Sequence, residues 1–119
     1  MILADSSVWI DHFKVANLLL SKALDADEVL MHPFVFGELA LGSLRNRQAA
    51  LANFEAYDLP PVVSAAGVLA LIENVPLFNR GIGYIDANLL ASCLVHGDCR
   101  LLTHDRRLRE AAEQLGIAA

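Results

Sequence analysis

Four acidic residues, Asp5, Glu38, Asp86 and Asp105, sit where an acid is hard to accommodate. Asp5 ends the apolar run Met1–Ala4, and Glu38 interrupts FVFGELALG. Asp86 lies in GYIDANLLASC and Asp105 in LLTHDRRL. Each has an ordinary explanation: Asp5 as a helix cap, Asp86 and Asp105 as first-turn acids favoured by the helix dipole, Glu38 as the wet side of a helix. Their joint placement suggests more. Two carboxylates about 5 Å apart repel by roughly 3 kcal/mol at an effective dielectric near 20. Three or four together would consume much of a stability of only about 5–15 kcal/mol, or raise their own pKa values. Hard divalent cations remove the difficulty. A donor set of oxygens alone, with no His or Cys, suits Mg²⁺, with Mn²⁺ as a substitute, rather than zinc. The chemistry open to such a centre is hydrolysis of a phosphodiester by metal-activated water, leaving a 5′-phosphate and a 3′-hydroxyl.

The elements that must bring these acids together alternate between strand and helix. Met1–Ala4, Val29–His32, Leu59–Val63 and Arg100–Thr103 read as short strands, the third weakened to an edge by Pro60 and Pro61. Helices are expected over Ser6 to Phe13, Asn17–Ala26, Pro33 to Leu44, Arg47–Tyr57, Ser64 to Asn74, Tyr84–His96 and Asp105–Leu115. Strands joined by helical crossovers make a parallel sheet with helices on both faces. The fold class expected is therefore α/β, a three-layer α/β/α arrangement around a short parallel sheet of four to five strands. Ligands of such sheets bind beyond the carboxyl ends of the strands, where strand order reverses. Asp5 stands at the carboxyl end of the first strand, and the other three acids fall at or near the same edge.

At 119 residues and 12.9 kDa the chain forms one domain, residues 1–119, with 55% hydrophobic residues. A net charge of −5 argues against the broad basic face of most nucleic-acid binders, although acids gathered around divalent cations would account for most of that excess. No apolar run approaches the roughly 18 residues that cross a bilayer, and no basic leader precedes Met1–Ala4, so a cytoplasmic protein with no membrane partner is expected. Cys93 and Cys99 fit neither a disulfide framework nor a zinc cluster and read as two buried thiols.

The segments DSSVWIDHF, GELALG, IDANLLASCLVHG and LLTHDRRL, in this order and spacing, resemble the PIN-domain family, and within it the VapC toxins of toxin–antitoxin modules. The resemblance implies that Asp5, Glu38, Asp86 and Asp105 are a catalytic, metal-binding quartet, with Glu38 orienting water or holding a second ion. Ser7 and Thr103 match small hydroxyl positions beside the metal. It also implies an Mg²⁺-dependent endoribonuclease acting on structured RNA such as tRNA or rRNA, a small VapB-like antitoxin partner and a homodimer.

Other residues carry weaker signals. Arg80, in NRGIG ahead of Asp86, and Arg106, after Asp105, are candidate RNA contacts, as are Arg45, Arg47, Arg107 and Arg109. Asp11 and His104 read as exposed, His32 as structural, and Trp9 as packing or an interface. Three other classes fit the sequence less well. A phospho-receiver domain needs a late lysine, and the only lysines are Lys14 and Lys22. A catalytically silent PIN-like scaffold is opposed by the complete quartet. A haloacid-dehalogenase-type phosphatase wants an acid where Ser7 stands.

Overall fold

The computed structural model describes residues 1–119. The order of elements is β1 (Ile2–Ala4), α1 (Ser6–Lys14), α2 (Leu18–Asp25), β2 (Val29–Leu30), α3 (Pro33–Leu41), α4 (Arg47–Glu55), α5 (Ala65–Asn74), α6 (Tyr84–His96), β3 (Arg100–Leu102) and α7 (Arg106–Gln114). The sheet runs β2-β1-β3, and both pairings are parallel. Leu3 lies opposite Leu30 on one side and Leu101 on the other. The first strand is thus central, and the chain leaves it for β2 before crossing to β3. That reversal opens a crevice at the carboxyl end of β1.

Neighbouring residues in a strand point to opposite faces. Leu3 and Ala4 are both fully buried, as are Val29 with Leu30 and Leu101 with Leu102. Helices therefore cover both faces, as the three-layer expectation required.

The sheet has three strands rather than four or five. Leu59–Val63 does not form a strand, because Pro60 and Pro61 have no N–H to offer a ladder. Pairing at that edge is reduced to one bridge between Leu30 and Asp58, with the Met31 N–H bonded to the Asp58 carbonyl at 2.9 Å. The opposite edge is finished in the same way by Ala118 beside Leu101. Single bridges on each side leave little open ladder for another chain to join.

Side-chain caps fix where the helices begin. Asn17 accepts from the Leu20 N–H, Ser64 from Gly67, and His32 Nδ1 from Phe34 with Pro33 in the first turn. Asp5 and Asp105 cap α1 and α7. Helix α3 stops at Leu41, three residues short of the expected end, with Gly42 as its extended C-cap.

Trp9 is only 2% exposed and packs on Phe54 and Tyr57, each with a ring separation of 5.8 Å. It is a core residue and offers no face to a base. Cys93 and Cys99 are free, buried thiols with sulfurs 3.0 Å apart, where α6 ends and β3 is about to begin.

Candidate metal centre

The end of β1 sets the site. Asp5 is 7% exposed, and its carboxylate is held from three directions. Oδ1 accepts from the Val8 N–H at 3.0 Å, which caps α1, and from the Ser7 hydroxyl at 2.9 Å. Oδ2 accepts a short hydrogen bond from the Thr103 hydroxyl. One carboxylate thus caps α1 and is also the buried acid at the end of β1. No lysine or arginine pairs with it.

Thr103 is buried at the end of β3, and its oxygen also accepts the Asp105 N–H at 3.0 Å. Asp105 caps α7, with Oδ1 accepting from Arg107 and Leu108 at 2.8 and 3.1 Å. Asp86 enters from the first turn of α6, where Oδ2 accepts a long 3.4 Å bond from the Gly83 N–H. Glu38 comes from the exposed side of α3.

Electrostatics ties the four together. The Asp86 carboxyl titrates above the ordinary carboxylate value. Burial is the largest cause, the Gly83 N–H opposes it, and the negative charges of Asp5, Asp105 and Glu38 add to the rise in that order. All three other acids thus act on Asp86, with Glu38 the weakest contributor. The two ion pairs of the chain, His104 with Asp11 and Arg106 with Glu110, involve none of the four. None of the four acids is thus neutralised by a direct ion pair.

No three acidic, imidazole or thiol side chains already surround a common point at ligating range. Asp5 is turned toward its hydroxyl donors. The donor set itself, carboxylates and two hydroxyls without sulfur or imidazole, fits Mg²⁺ or Mn²⁺.

An open groove of about 670 Å³ runs beside the cleft and meets it at Glu38 alone of the four acids. Ile10, Phe13, Lys14 and Arg45 also line it. Of the two arginines singled out as RNA contacts, Arg80 donates to Gln114 Oε1 at 2.7 Å and Arg106 pairs with Glu110 one turn along α7. His104 is not a free loop histidine. Nδ1 lies 2.9 Å from Asp11 Oδ2, and Nε2 lies 3.4 Å from the Asn17 amide. Sequence reasoning missed both the Asp11–His104 and the Arg80–Gln114 contacts. Their partners are 93 and 34 residues apart, and no local pattern signals them.

Comparison with known proteins identifies the family. The family profile for the PIN domain matches residues 2–114. The chain is 44% identical over 118 residues to Ribonuclease VapC32 of Mycobacterium tuberculosis, in both strain CDC 1551 / Oshkosh and strain H37Rv, covering 99% of this chain and 95% of the relative. Among solved structures, PAE2754 from Pyrobaculum aerophilum superposes with a TM-score of 0.58 at 19% identity, over 92% of this chain and 77% of that one, a likeness of fold. The chain belongs to the PIN-domain family, as a VapC-type member.

Proposed function

We propose that the protein is the toxin of a toxin–antitoxin pair, a divalent-metal-dependent endoribonuclease that cuts structured RNA such as tRNA or rRNA inside the cell. The observation that carries the metal is the gathering of acids without an ion pair: burial, and after it the charges of Asp5, Asp105 and Glu38, raise the Asp86 carboxyl, and no cationic side chain pairs with any of the four. The likeness to a ribonuclease over nearly the whole chain supports RNA as the substrate.

In this reading Asp5, Asp86 and Asp105 hold Mg²⁺ or Mn²⁺ directly or through water, and Glu38 orients the attacking water or shares a second ion. A divalent cation in this cleft supplies an acidified water and charge stabilisation for the leaving oxygen. Ser7 and Thr103 hold both oxygens of Asp5 in fixed directions, which orients the carboxylate at the end of β1. The Thr103 oxygen meanwhile anchors the backbone of Asp105. One strand end thus aligns two of the four acids.

A small VapB-like antitoxin and a second copy of the chain complete the proposal. Exposed Val15, Leu41 and Val95 supply apolar area for such partners.

The test is cleavage of total RNA by the purified protein. Activity should stop with EDTA, return with Mg²⁺ or Mn²⁺, and vanish in Asp5→Asn with the fold retained. Cleavage that survives both EDTA and Asp5→Asn would remove the assignment.

A further inference from the structure

The turn that leads into Asp86 is tied to the helix that begins after Asp105. At one end, the Arg80 guanidinium donates to Gln114 Oε1 at 2.7 Å. At the other, the Arg107 side chain lies on the bare backbone of Gly81. A Cβ at Gly81 would stand 2.6 Å from Arg107 Nη1 and 2.9 Å from its Cδ, and φ there is +74°, a conformation that favours glycine. Arg107 and Gln114 are seven residues apart, about two helical turns or ~10 Å along α7. The turn is thus gripped at two points on one rigid rod. Two residues beyond Gly81, the Gly83 N–H reaches the Asp86 carboxylate.

We infer that the Arg80–Gly83 turn is a clamp that sets the position of Asp86 relative to Asp105, with Arg80 and Gln114 as positioning residues rather than Arg80 as a contact to RNA. The inference rests on the metal-dependent reading above. Asp105 is fixed to the start of α7 by its own cap bonds. The Asp86 carboxylate is held by one long bond only, from the Gly83 N–H, so its direction toward Asp105 depends on how the preceding turn is seated. The bond to Gln114 fixes the direction of the Arg80 guanidinium along α7. Two acids that must share a cation need a constant separation, and the clamp supplies it from outside the cleft.

The decisive measurement is Mn²⁺ affinity of the RNA-free protein by calorimetry, alongside the salt dependence of RNA binding. Arg80→Ala and Gln114→Ala should each weaken Mn²⁺ binding by on the order of tenfold, as loss of an outer-sphere support does. The double variant should be no worse than either single one, because both remove the same contact. Gln114→Glu, which keeps an acceptor, should restore affinity. The slope of RNA affinity against salt should match the wild type in all of them. If Arg80→Ala instead lowers that slope by about one while Mn²⁺ affinity is unchanged and Gln114→Ala is silent, Arg80 is a phosphate contact and the clamp is wrong. Wild-type protein that binds no Mn²⁺ would remove the metal reading and the clamp together. Wild-type binding with unaffected variants would remove the clamp alone.

Discussion

The Thr103 hydroxyl donates to Asp5 across 98 residues of chain, and the same oxygen accepts the N–H of Asp105. One buried hydroxyl therefore orients a carboxylate at the end of the central strand and the backbone of another beside it. Thr103→Val keeps the shape and removes both bonds. It should cost about 1–3 kcal/mol, the usual penalty for stranding a buried polar partner, read as a lower urea midpoint with an unchanged slope. Thr103→Ser should recover most of the loss. A Val variant as stable as the wild type would show that the hydroxyl carries no structural weight.

Asp86 sets function against stability. Its carboxyl is raised in the folded protein, chiefly by burial and then by its acidic neighbours, so the native state holds that proton more tightly than the unfolded chain does. Stability is consequently lost as pH rises from the model-peptide value of 3.8 through the raised one. In EDTA at neutral pH, Asp86→Asn should melt at a higher temperature than the wild type while cutting no RNA. The difference should shrink as pH falls toward 3.8. A variant less stable than the wild type under those conditions would show that Asp86 is not strained by its surroundings.

A bound cation should reverse that penalty. At a concentration of about 100 times its dissociation constant, a ligand specific for the folded state adds about 2.7 kcal/mol. Mg²⁺ or Mn²⁺ at that level should raise the melting temperature of the wild type, and EDTA should abolish the rise. Asp5→Asn should show little of it. Equal shifts in wild type and Asp5→Asn would place the ion elsewhere on the surface.

His32 predicts a separate acid limit. Its ring is wholly buried, Nδ1 caps α3, and Nε2 has no partner. Burial lowers its pKa from 6.5 to about 4. The folded state therefore resists taking up a proton that the unfolded chain accepts. The stability this group allows is complete above pH 6.5 and falls as pH drops toward about 4. His32→Asn keeps a capping acceptor and cannot titrate, so its stability should vary less over that interval. Parallel pH profiles for the two proteins would assign the acid sensitivity to other groups.

Much of this could be seen in the residues themselves, because the signals were local. Ser64 before an apolar helix, Pro33 in a first turn and the run Tyr84–His96 each fixed an element close to its observed bounds. The acids were visible because Asp5 and Glu38 broke apolar runs and Asp86 and Asp105 fell where helices begin. What stayed hidden was non-local. Leu59–Val63 has the composition of a strand but not the donors of one, so the sheet lost an expected member. Arg80 and His104 looked free because Gln114 and Asp11 approach them only in the folded chain. Trp9 looked ambiguous until Phe54 and Tyr57 closed over it.

The bond from Thr103 to Asp5 closes a loop of 98 residues. A nascent chain halted before Thr103 holds Asp5 without that hydroxyl and also lacks Asp105, one of the four acids. For the toxin proposed above, this order of assembly would keep a partly made polypeptide without its full set of acids until Asp105 is in place.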